Sequence, residues 1–186
     1  VHEAVICQRQ GVFFTVRSGR ADKALLCKVV KLGKNFPFVM LEDGTSDIFI
    51  PGRFTRGAMP GDKVLVEKFE HPRVEGSDEG EILAVLEEKN DLVGTVRRVE
   101  GMLKFVPDDC PAISMRMMRD CEGGAKDGDK VAVEILLRGN RQEDHRVGVA
   151  MRFGSCEEAK RCAKALLYAK HIHTRFPEKV RDEAKK

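Results

Sequence analysis

The chain has 186 residues, 42% of them hydrophobic and 34% charged, a globular composition with room for one ordinary domain or two small ones. No apolar run approaches the roughly 20 residues that span a bilayer and no charged-then-apolar leader opens the chain, so no membrane partner is expected. The formal net charge of +3 excludes nothing by itself, but its distribution is uneven. Residues 1–34 carry seven Lys/Arg against two acids, residues 67–91 three against nine, and residues 155–186 nine against five. Basic ends flank an acidic middle.

In chain order, the first stretch is "AVICQRQGVFFTV", two short strands around a turn at Gln10-Gly11. Residues 1–23 therefore form a hairpin arm, too small to stand alone. Residues 24–90 contain five strand-like runs: "LLCKVVKL", "FPFVMLE", "SDIFIP", "DKVLVEKF" and "GEILAVLE", separated by turn-rich segments such as "GKN" and "DGT". Residues 91–154 repeat the series as "LVGTVRRV", "LKFVPDD", a vaguer piece near "AISMRMM", "KVAVEILL" and "RVGVAMRF". In "KVAVEI", Val131, Val133 and Ile135 share one face and Lys130, Ala132 and Glu134 the other, the alternation of a half-buried strand.

The repeat has a constant offset. "GAMPGDKVLVE" begins at Gly57 and "GAKDGDKVAVE" at Gly124, 67 residues later. The same shift carries Val29 to Val96, Phe38-Val39 to Phe105-Val106, and Ile82 to Val149. Five short strands per unit suit a small barrel. Gly61 and Gly128 are expected at positive φ in the turn into the fourth strand, with Asp62 and Asp129 bonding backbone amides just beyond it.

After Phe153-Gly154 the period becomes helical. Ser155 and Glu158 give a capping-box pattern ahead of "EEAKRCAKALLYAKH", with Ala159, Cys162, Ala163, Leu166 and Leu167 on one apolar face. A second helix is expected to start near Pro177. Residues 155–186 thus read as a helical connector.

The six cysteines contain no C-x-x-C pair and read as small core residues of a reduced, cytoplasmic protein. Cys156, Cys162, His171 and His173 match no common zinc spacing. Asp108-Asp109 reads as a turn, and no carboxylates stand at spacings suited to hydrolysis. No catalytic residue, metal or cofactor is assigned to this chain.

The most informative stretch is "GKNFPFVMLEDGTSDIFIP". Phe36 and Phe38 share a strand face, Phe49 can join them from the next strand, Lys31 and Lys34 lie alongside, and Arg53 follows. Rings flanked by cations form a platform for stacking unpaired bases and holding phosphates. The same rings could instead fill the barrel, with Val39 and Leu41 facing out. In the second unit Lys104 and Phe105 hold the corresponding place, while Leu103 stands where the first ring would be. Arg97, Arg98, Arg116 and Arg119 could hold phosphates.

"KNFPFV" and "DIFIP" resemble the two nucleic-acid motifs of a cold-shock domain, roughly K-G-F-G-F-[IV] and D-[VI]-F-V-H. The resemblance carries a stacking role to Phe36, Phe38 and Phe49 and a phosphate role to Lys34; Pro37 and Pro51 depart from the pattern. Two such units in tandem, "VPDD" and "FPEKVRDEA" together resemble the N-terminal region of ribonuclease R-like exoribonucleases of the ribonuclease II family. Residues 3–20 are similar, more faintly, to the last hairpin of the winged-helix domain that often precedes it. The resemblance implies a mainly β protein: two tandem OB-fold/cold-shock five-stranded barrels, then a C-terminal helical connector toward a catalytic domain lying beyond this chain. It further implies a partner, single-stranded RNA, guided to a Mg²⁺-dependent 3′-to-5′ exoribonuclease channel, with the Mg²⁺ and the chemistry in that other domain. A fragment or truncated relative, inactive alone and monomeric, is expected. A free-standing RNA-binding regulator and a protein-interaction module are the alternatives.

Overall fold

The computed structural model describes residues 4–9, 12–17, 23–32, 37–41, 44, 46–73 and 75–172. Strands β1 (Ala4–Arg9) and β2 (Val12–Arg17) form an antiparallel pair, and β2 runs beside β7. The first five-strand unit is β3 (Leu25–Leu32), β4 (Pro37–Leu41), β5 (Asp47–Phe49), β6 (Lys63–Lys68) and β7 (Gly80–Glu87). The second is β8 (Leu92–Val99), β9 (Met102–Pro107), β10 (Met115–Met117), β11 (Asp129–Leu137) and β12 (Arg146–Ser155), followed by helix α1 (Ala159–Ala169). The expected second helix near Pro177 lies outside the described residues. Among the described residues no helix is long and apolar enough to cross a membrane.

The second unit is a closed barrel in the order β10-β12-β11-β8-β9. Its seam is the parallel pair β10–β12, and its other pairs are antiparallel. The first unit has the same connectivity as a sheet, β5-β4-β3-β6-β7, whose end strands meet at one parallel bridge, Phe49 to Glu79. The expectation of two closed barrels is thus met in full only by the second unit. Pro51 supplies the physical reason. In the second barrel the Met118 N–H donates to Val147 O at 2.9 Å and extends the seam. The position 67 residues earlier is Pro51, which has no N–H to donate.

Each unit has its own interior. Cys27, Val29, Val39, Ile48, Ile50, Val64, Val66 and Ile82 fill the first; Val96, Phe105, Met115, Val131, Val133 and Val147 help fill the second. Two residues of the first unit, Leu32 and Met59, belong to the second cluster, so the second core reaches into the first unit at a joint. Cys110 lies in the same cluster, where burial and the Asp109 charge push its thiol up to about 11 and keep it protonated.

The repeated Gly-Asp turns behave alike and then diverge. Gly61 and Gly128 have φ of +97° and +84°, as their turns require. The Asp62 and Asp129 carboxylates accept the amides of Met59 and Lys126 at 2.9 and 2.7 Å, three residues upstream and not beyond the turn as expected, because the turn folds its own start back onto the carboxylate. Asp129 then takes Arg152 Nε at 2.7 Å. Burial raises the Asp129 pKa, but the Arg152 hydrogen bond and charge and the Lys126 amide outweigh it and hold the group below the ordinary carboxylate value. Asp62, fully buried, takes the Lys89 amide at 2.7 Å and Arg138 from the second unit at 2.7 and 3.2 Å. Arg138 Nε also lies 3.1 Å from Glu88 Oε2, an ion pair without hydrogen-bond alignment.

His145 closes the other side of the joint. It is fully buried, its Nδ1 accepts the Gly139 N–H at 2.9 Å, and its Nε2 meets Gly57 O at 2.7 Å. An acceptor at Nδ1 and a carbonyl at Nε2 select the neutral ring protonated on Nε2. Gln142 Nε2 donates to Ala58 O at 3.0 Å beside it. Gly57 has φ +66°, and a Cβ there would collide with Gly139 O and the His145 ring. Only glycine lets the two backbones approach this closely.

At the C-terminal end two expectations are corrected. Ser155 is the last residue of β12, and its Oγ accepts the Glu157 N–H, so the helix starts later with Glu158 as its cap and no capping box forms. The buried stripe is also rotated: Ala165 is buried and Tyr168 and Ala169 pack against Val93, Ala132 and Phe153, while Leu166 is 60% exposed. The Phe153–Tyr168 ring contact, edge-to-face at 5.6 Å, sets this rotation. Because the helix covers Ala132, β11 is buried on both faces there instead of half-buried.

Burial and the Arg138 charge outweigh the Gly57 hydrogen bond and nearby carboxylates, lowering the His145 pKa below its ordinary 6.5. The unfolded chain therefore binds that proton more readily, and the ring's contribution, complete above pH 6.5, is lost as pH falls below it. Lowering the buffer from about pH 7.5 to about pH 5.5 is expected to depress Tm more in the wild type than in His145→Gln. Equal depression in both would remove His145 from the joint's energetics.

Candidate nucleic-acid interface

On β4, Val39 points inward and is fully buried while Phe38 points outward and is half-buried. On β5 the same holds for Ile48 inside and Phe49 outside. Phe38 and Phe49 are cross-strand partners with ring centroids 5.7 Å apart at 61°. Lys31, exposed on β3, is the register partner of Phe38 on its other side. Two rings and a cation thus share one outward face. Of the other residues expected there, Lys34 and Phe36 lie outside the described residues. Arg53 is turned onto a different ring, its guanidinium 4.5 Å from the Phe54 centroid, and Phe54 in turn contacts Phe69 at 5.2 Å. This cation–π pair sits at a groove bounded by Arg56, Glu81, Ile82 and Asn140.

The second unit departs from the expectation. Phe105 is fully buried in the barrel and pairs with Met115, also fully buried; its ring is core and is not available for stacking. The constant shift of 67 misplaces it because β3 carries a bulge at Val30 and β8 does not: Val29 faces Val39 in one unit and Val96 faces Phe105 in the other. By register, Phe105 corresponds to Val39, and the outward pair Phe38/Phe49 corresponds to Lys104/Arg116. The larger Phe105 is accommodated by Gly94, where the first unit has Cys27; a Cβ on Gly94 would stand 2.7 Å from the Phe105 ring. Two cations therefore replace two rings on the outward face. The signal missed was the one-residue bulge.

Asp108, at the turn after β9, is bound by Lys130 Nζ at 2.6 Å. Among the described residues no group of three or more His, Cys, Asp or Glu is placed to hold a metal ion.

Comparison with known proteins agrees with this topology. Residues 28–85 match the family model for the ribonuclease B OB domain. No curated protein matches the sequence. The fold is similar to that of RNase R from Mycoplasma genitalium in its apo form and in complex with ribose methylated single-stranded RNA, each with a TM-score of 0.69 at 20% identity over 87% of this chain. It is also similar to yeast Ssd1, a pseudonuclease, with a TM-score of 0.61 at 13% identity over 79% of this chain. The chain spans 26% of the length of those RNase R chains and 25% of Ssd1.

Opposite roles for two phenylalanines give a direct check. Phe105→Ala is expected to cost about 3–5 kcal/mol in denaturant unfolding, as for a buried ring. Phe38→Ala, on the outward face, is expected to cost about 1 kcal/mol or less. Similar losses for both would contradict the register.

Proposed function

We propose that this chain is a single-stranded RNA-binding region of a ribonuclease R-type protein, made of two cold-shock-type OB units, and that it guides RNA toward a catalytic domain elsewhere in the same protein. The observation that carries the reading is the outward Phe38/Phe49 pair on β4 and β5, with Lys31 across the strand from Phe38. In an OB fold the second and third strands form the usual oligonucleotide face. Rings there stack on any unpaired base, and a neighbouring lysine neutralises the phosphate between bases. Lys34 and Phe36 are assigned to the same face on their sequence motif, and Lys104 would add a phosphate contact on the second unit.

In this reading the hydrolysis, its Mg²⁺ and its directionality belong to the catalytic domain, and the chain itself binds without cutting. It acts as a monomer in the cytoplasm. The joint at Asp62 and His145 fixes one unit against the other, so RNA held by the first would be presented in a set direction. A free-standing regulator would use the same face without a catalytic neighbour.

The test is the affinity of the chain for a labelled oligouridine across a salt series. Stacking contributes about 1–3 kcal/mol per base, so Phe38→Ala/Phe49→Ala is expected to weaken binding about tenfold or more while leaving the salt slope unchanged. Unaltered affinity in the double variant would move the contact away from β4 and β5. No binding at low salt would overturn the RNA reading.

A further inference from the structure

Next to the Lys104/Arg116 pair the second barrel carries a groove of about 620 Å³. Its walls are the β8–β9 hairpin, the end of β10 and the facing ends of β11 and β12. Four guanidiniums line it, those of Arg98, Arg116, Arg119 and Arg146, with a single carboxylate, Glu122. Elsewhere Arg138, Arg141, Arg152 and Arg161 are each ion-paired. The four in the groove have no ion pair among the described residues: Arg98 and Arg146 bond only backbone carbonyls, and Arg116 reaches Met102 Sδ at 2.9 Å. Unneutralised charge concentrated in one concavity calls for an anionic ligand.

The rest of the lining selects which anion. Leu137 is 59% exposed and Met102 37%, and Met118 lies between the arginines. Among the described residues, no aromatic and no lysine lines the groove. A nucleic-acid strand there would gain phosphate contacts and guanidinium stacking but no aromatic platform, and would leave the leucine and thioethers in water. Arginine and methionine without lysine is instead the composition of protein-interface cores, and thioethers adapt to varied apolar partners. Guanidiniums pair with carboxylates in bidentate fashion.

We propose that this groove docks an acidic, amphipathic peptide segment of a protein partner, its carboxylates on the arginines and its apolar side chains on Leu137, Met102 and Met118. The two units would then divide the work: a ring-bearing face for RNA on the first and a peptide-docking groove on the second. This goes beyond the RNA-binding reading and stands or falls separately from it.

The experiment uses the whole chain and three labelled probes: a peptide rich in glutamate and leucine, the same peptide with lysine for glutamate, and an oligouridine. The glutamate peptide is expected to bind and the lysine peptide not. Arg116→Glu/Arg119→Glu should weaken the glutamate peptide by about tenfold or more, and Leu137→Ser by roughly three- to tenfold. Leu137→Ser should leave oligouridine affinity unchanged. All three positions are exposed, and an unfolding midpoint equal to wild type confirms that the variants fold. Absence of peptide binding, or peptide binding indifferent to both variants, overturns the proposal. So does oligouridine binding that is lost in the arginine variant while peptide binding is not, since the groove would then hold an RNA backbone.

Discussion

A carboxylate with no exposed surface sets the geometry of this molecule. Asp62 sits where two small β units meet, and an isolated charge there would be costly. It is tolerated because two backbone amides of its own unit and the bidentate Arg138 of the other all converge on it. Removing the arginine would leave the charge stranded, so the second unit must stay where it is for the first to be stable. His145 adds a constraint of a different kind: its neutral ring bridges Gly139 and Gly57, and only a glycine at 57 fits. Leu32 and Met59 complete the joint by extending the second core into the first unit.

From this joint outward, the two units share a topology and differ in what they show to solvent. Equivalent strand positions present Phe38 and Phe49 in one and Lys104 and Arg116 in the other. Rings offer an aromatic platform to bases, while cations offer pairing to anions first, and a base face only what a guanidinium plane can stack. The two units thus match in their apolar interiors and differ in the chemistry of their outward positions. The exchange of Cys27 and Val39 for Gly94 and Phe105 conserves the inside in the same sense, trading a small residue on one strand for a large one on the next.

Much of this was legible from the letters. Strands β3, β7 and β8 coincide with "LLCKVVKL", "GEILAVLE" and "LVGTVRRV", because alternation and β-branched content are local signals. The Gly61 and Gly128 turns were legible for the same reason. What escaped is set by register and by distance along the chain. A single bulge at Val30 shifts β4 against β9 by one residue and so turned Phe105 from a surface candidate into core. The joint residues His145 and Arg138 meet partners 88 and 76 residues away, and no pattern in either neighbourhood announces that. The helix face was misjudged because tertiary contact with Phe153 chose Tyr168 and Ala165 over the more hydrophobic Leu166.

Asp62, Arg138 and His145 tie the two units into one cooperative body. Hydrogen exchange in graded denaturant tests it most directly, comparing amides of β6 in the first unit with those of β11 in the second. Both strands are expected to open with the same free energy and the same denaturant dependence in the wild type, and Arg138→Ala to separate them, with β6 opening first. Different opening energies for β6 and β11 in the unaltered chain would contradict it, and the units would then be neighbours rather than a single structure.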